Sequence, residues 1–294
     1  MATLRELKGR IGSVASSEKI TGAMKMISSA KMHKAEAALR RLLPFRNQIE
    51  AIIANLLGAD APCSSPLTVV PDRVEHATVV VLGSDDGLCG AYNVNLFKFL
   101  LGHIADLRDR YGEGVHINIV TVGKKMDKAV RKIATHRISV ETAPVNSKAE
   151  GDAVKAFNDE LQRRFIDGET GRIDIVYQNF KSISRQRPVA APMLPLSVES
   201  FSAGEAAETA RPYIFEPDAA SIFATVLPMY LLALVQEVFG ENRASEQAAR
   251  VMAMQSANDN AKKLLEQLRL EYNKLRQQSI TNELLDIVGG QVRD

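Results

Sequence analysis

The side chains best suited to chemistry sit together in residues 84–93, SDDGLCGAYN, which hold two carboxylates, a thiol and two glycines. A β-branched run precedes this string and a helical pattern follows it, the position where open α/β sheets usually hold ligands. Gly87 and Gly90 would let the backbone approach a phosphate. The string matches neither the P-loop nor the dinucleotide fingerprint, and no lysine follows to meet phosphates. A structural turn through Asp85, Gly87, Cys89 and Gly90 is therefore expected, with Asp85 and Asp86 supplying turn and helix-capping oxygens.

The other reactive residue types are dispersed. The five histidines, His33, His76, His103, His116 and His136, share no H-x-x-x-H spacing, which points to surface or packing roles. Cys63 and Cys89 show no C-x-x-C or zinc spacing, so two free thiols in a reducing compartment are expected. Cys89 paired with a histidine would make a nucleophile, but the sequence offers no orienting partner. No catalytic, cofactor-binding or metal-binding residue is expected.

Composition is that of an ordinary folded protein: 294 residues, 46% hydrophobic and 24% charged, with a formal net charge of +2. The charge is uneven, since residues 5–46 carry ten Lys/Arg against three Asp/Glu. Without interleaved aromatics or a helix-turn-helix pattern, this basic end reads as a solvated coiled-coil face, not a nucleic-acid surface. The chain opens MATLRELKGR, with no apolar signal run, and no stretch holds the roughly 18 uninterrupted apolar residues of a membrane span. A cytosolic or peripheral protein is expected.

Two long helical patterns must position these residues. The first runs over residues 3–57 with a kink or short break at Pro44, and its seam passes through Leu4, Leu7, Ile11 and Val14, resuming at Ile20, Met24 and Ile27. The second covers residues 221–288, with the stripe Ala261, Leu265, Leu268, Tyr272 and Leu275, and stops at Gly289 and Gly290. At 1.5 Å per residue they span roughly 80 and 100 Å, too long for a globule of this size, so they are expected to pair. Between them, strands at 77–83, 115–123 and 173–180 alternate with helices at 95–111, 124–133 and 152–165, the pattern of a Rossmann-like sheet. Segments 59–72 and 185–197 read as linkers or sheet-edge loops. The fold class is α/β: a long antiparallel coiled coil of the terminal helices with an inserted Rossmann-like domain, divided 1–58, 59–215 and 216–294.

The N-terminal GRIGSVASSEKITGAMKMISSAKMHKAE, the central SDDGLCGAYN and the C-terminal SEQAARVMAMQSANDNAKKLLEQLRLEYNKLRQQSITNELLDIVGG resemble the signature regions of gamma subunits of bacterial F-type ATP synthases. The resemblance implies a non-catalytic central stalk that couples proton flow to ATP synthesis by rotation. Its implied partners are three alpha and three beta subunits, epsilon and the membrane c-ring, at the cytoplasmic face of the plasma membrane. Carried over by motif position, Met24 and Lys25 would face the acidic lever of beta. Arg250, Arg276, Gln277, Thr281 and Glu283 would contact beta from the C-terminal helix, with Gln277, Thr281 and Glu283 near the loops of beta that catch the shaft. Thiol regulation is not expected, because no close cysteine pair interrupts the middle.

Overall fold

The computed structural model describes residues 3–58, 64–198, 201 and 215–291; Cys63 lies outside them. Helix α1 spans Leu4–Leu57 and begins at a capping box, in which Glu6 N donates to Thr3 Oγ1 and Thr3 N donates to the Glu6 carboxylate. It is the one long helix expected, and of the two alternatives at Pro44, a kink or a short break, the break is absent. Pro44 points to solvent, while Leu39 before it and Ile49 after it are buried, so packing on either side holds the helix across one missing hydrogen bond.

The central elements are β1 (His76–Leu82), α2 (Tyr92–Tyr111), β2 (His116–Val122), α3 (Lys124–Val130), β3 (Ile138–Thr142), α4 (Asp152–Ile166), β4 (Arg172–Ser182) and β5 (Arg185–Leu194). The sheet order is β3-β2-β1-β4-β5, with β5 alone antiparallel. Alternation divides β1 between two cores. Val79 and Val81 pack with Leu96 and Leu100 of α2, while Val80 and Leu82 pack with α4 and the two long helices. The segment read as a linker or edge loop, 185–197, thus contains an edge strand, and Pro188 and Pro192 suit an edge because they lack a ladder donor.

The last helix, α5, spans Ala219–Gln291, close to 110 Å at the standard rise. It includes Gly289 and Gly290, which were expected to end it; glycine weakens a helix by about 1 kcal/mol without forbidding it. One window of α5 reaches a mean hydropathy of 1.8, enough by composition to span a bilayer. In this fold Phe223, Leu227, Leu231, Val235 and Phe239 of the same helix pack into the core against α1 and the sheet.

The two long helices run antiparallel. Tyr230 bonds Glu50, Arg46 pairs with Glu237 at 2.9 Å, Gly240 faces Leu39, and Asn258 Nδ2 donates to Glu18 O at 2.7 Å. Continued to Thr3, this register reaches the neighbourhood of Gln277, so the end of α5 runs on without a partner helix. Most of the expected α1 seam holds, with Leu7 buried and Leu4, Ile11, Val14 and Met24 half-buried, but two of its residues do not. Ile20 and Ile27 are 59% and 56% exposed, whereas Ser28, Met32 and Ala35 are buried and Thr21 and Gly22 meet Asn258. Close approach there favours small and polar residues, which turns the larger isoleucines outward. On α5 the expected stripe holds: Leu265 and Leu268 are buried and Ala261, Tyr272 and Leu275 half-buried.

Candidate functional site

The turn after β1 is built around inward-pointing groups. Ser84 N donates to Asn93 Oδ1, Asn93 Nδ2 donates to Ser84 Oγ, and that hydroxyl donates to Asp86 O. Leu88 and Gly90 have φ of +63° and +59°, the left-handed region that glycine tolerates. Asp85 accepts from Lys124 N, Ser147 N and Ser147 Oγ at 2.8 to 3.1 Å, so it caps α3, not the helix that follows the turn. Burial pushes its pKa up, but these bonds outweigh that and hold the carboxyl below its ordinary value. Asp86 binds Lys148 Nζ at 2.8 Å, and that bond lowers its pKa. With both carboxylates engaged and negative, the turn suits a structural joint better than a phosphate cradle.

This joint docks onto α5. Arg250 Nε donates to Gly87 O at 3.2 Å, and its other arm reaches Asp86 O and pairs with Glu246 at 2.6 Å. Tyr92 Oη donates to Asn242 Oδ1 at 2.6 Å, and Asn242 Nδ2 donates to Gly83 O. Arg250 and Glu246 are 5% and 2% exposed. Arg250 was expected among the partner-facing residues; here its guanidinium is turned inward. The helical spacing Glu246 to Arg250 could have signalled the pair, since i,i+4 places both on one face. Burial raises the Glu246 pKa despite the arginine. Burial also raises the Cys89 thiol, whose neighbours are Ser84 and Asn93. A thiol held protonated, with neither neighbour able to act as base, is a poor nucleophile.

Beside the joint lies a groove of about 810 Å³ between α1, α5 and the start of α4. Met24, Gly87 and Arg250, from three distant stretches of sequence, all line it. Lys25, next to Met24, is half-buried on α1. The structure does not bring the remaining candidates here. Arg276, Gln277, Thr281 and Glu283 are exposed on the unpartnered end of α5, roughly 40 Å further along the helix. Thr281 Oγ1 donates to Gln277 O, and Ser279 Oγ donates to Glu283. Ile280, within this polar string, and Leu284, Leu285 and Ile287 beyond it, which the sequence did not single out, are all exposed as well. Four large apolar side chains bared on one lone helical end mark a contact surface.

The described residues define an elongated helical shaft with an α/β domain locked to its side. A family model for ATP synthase matches residues 3–292. The ATP synthase gamma chain of Bacteroides thetaiotaomicron is 38% identical, with 100% of both chains covered, and that of Chromobacterium violaceum 33%, with 99% of both. Among solved structures, a chain of the Euglena gracilis mitochondrial ATP synthase OSCP/F1/c-ring assembly aligns with a TM-score of 0.67 at 21% identity, over 98% of this chain and 93% of that one. A chain of the Tetrahymena thermophila mitochondrial ATP synthase central stalk and c-ring aligns with a TM-score of 0.57 at 19% identity, over 81% and 99%. The chain belongs to the ATP synthase gamma chain family.

Proposed function

We propose that this chain is the rotating shaft of a proton-driven F-type ATP synthase and performs no chemistry itself. The observation that carries this reading is the mismatched length of the paired helices. The 73 residues of α5 outrun the 54 of α1, leaving a bare helical tip with polar and apolar side chains both exposed. Enclosed by three alpha and three beta subunits, such a tip offers contacts that are made and broken as it turns, and its asymmetry presents a different face to each beta. Gln277, Thr281, Glu283 and Arg276 would meet the catch loops, with Met24 and Lys25 meeting the acidic lever lower down. The α/β domain, within 59–215, would join epsilon and the c-ring, and helical segments 1–58 and 216–294 would carry torque. In this reading the chain is a peripheral component at the cytoplasmic face of the plasma membrane.

Co-expression with the alpha and beta subunits of the same genome tests the reading. An ATPase-active complex with one copy of this chain per three alpha and three beta is expected. A chain that elutes alone while alpha and beta assemble would overturn it.

A further inference from the structure

His76 and His116 are 40 residues apart in sequence, yet parallel pairing sets them directly opposite each other on β1 and β2. Their rings lie side by side with centroids 5.5 Å apart and planes inclined at 53°. Both backbones are fixed. His116 N donates to Glu75 O at 2.9 Å, and His76 O accepts from Gly171 N at 2.9 Å. The rings are reachable from solvent, His76 exposed and His116 half-buried, at a polar hollow of about 290 Å³ that Asn118, Ser139 and Glu169 also line. Arg164, the cation in the same hollow, is held by Glu141 and Glu160. Among the described residues neither imidazole has a hydrogen bond or ion pair. Elsewhere His103 is bonded to Asp174 and His33 lies beside Glu36.

We propose that His76 and His116 form a two-imidazole site for a divalent transition-metal ion of the zinc class. The spacing carries the argument. With Zn–N bonds of about 2.0–2.1 Å, two imidazoles on one tetrahedral ion have ring centres roughly 5 Å apart, close to the separation already present. The sheet therefore already sets the ring spacing that one ion needs, leaving side-chain rotation to aim the nitrogens, and imidazole is a ligand that zinc accepts readily. Among the described residues no group of three or more His, Cys, Asp or Glu side chains is placed to hold an ion, so water completes the coordination. Two protein ligands make a moderate-affinity, exchangeable site, one that ties β1 to β2 at the end of the sheet where both strands begin.

The test is a Zn(II) titration of the full chain followed by histidine-selective NMR, with a thermal scan of the same samples. Two of the five histidine ring signals are expected to move together, and those two are the signals absent from His76→Ala and His116→Ala. Each substitution should weaken zinc binding at least tenfold and abolish the zinc-dependent rise in Tm, whereas His136→Ala should change neither. Circular dichroism of the variants separates loss of the site from loss of the fold, and His116→Gln offers a milder replacement. Equal zinc uptake by wild type and both alanine variants, or movement of the His33, His103 or His136 signals instead, would overturn the proposal.

Discussion

The two ends of the long helix pair are built on opposite plans. Near the sheet, Ile49, Ile53 and Leu56 of α1 and Phe223, Leu227 and Leu231 of α5 are buried in one continuous core. Toward the tip, Leu7 is the only buried residue of α1 between Leu4 and Ile27, and α5 continues past its partner with Leu284 and Leu285 57% and 63% exposed. Each fully buried Leu or Phe near the sheet contributes about 1.5–3 kcal/mol, which the tip forgoes. A shaft needs both: a base that cannot slip against its domain, and a tip whose surface is free for others.

If the base is where stability resides, Phe223→Ala should cost about 3–5 kcal/mol in denaturant unfolding of the full chain. Leu270→Ala on the exposed face should cost within about 0.5 kcal/mol, and equal losses would break the comparison. Arg250→Ala should cost a comparable 3–5 kcal/mol, because it strands the buried Glu246 carboxylate and frees the carbonyls of Asp86 and Gly87. Faster amide hydrogen exchange across 84–90 in that variant would sharpen the picture of a joint locked to the shaft.

Acid should loosen the same joint. Asp85 is held below its ordinary pKa, so its contribution is present above the unfolded value of about 3.9 and is lost as pH falls through the lower folded value. Asp85→Asn should remove about 1–3 kcal/mol at neutral pH and flatten that acid limb in pH-dependent unfolding. The smallest expected effect on stability is at the tip. Gln277→Ala and Thr281→Ala should shift unfolding by less than about 0.5 kcal/mol yet reduce coupled turnover, and a large stability loss would show the tip to be structural.

The sheet was readable because β1 and β2 are rich in β-branched residues and buried over most of their length, and the α5 stripe was readable because Leu265 and Leu268 keep helical spacing. The α1 seam was readable through Leu7, Ile11 and Val14 but misled at Ile20 and Ile27, where hydrophobicity and burial part company. Ser28 and Gly22 fit where the helices approach, and Ile20 and Ile27 do not. Arg250 misled for a related reason: charge alone does not tell an outward contact from an inward clamp, and Glu246 four residues earlier was the available clue. The groove that joins Met24, Gly87 and Arg250 arises only when the chain closes on itself, so no local pattern could reveal it.

The most direct measurement is proton-driven ATP synthesis by vesicles carrying complexes whose gamma chain ends after Leu275, which removes the unpartnered end of α5 and leaves the paired seam intact. Normal assembly with a severalfold loss of synthesis is the predicted result. Synthesis at the wild-type rate from a fully assembled truncated complex would contradict the account.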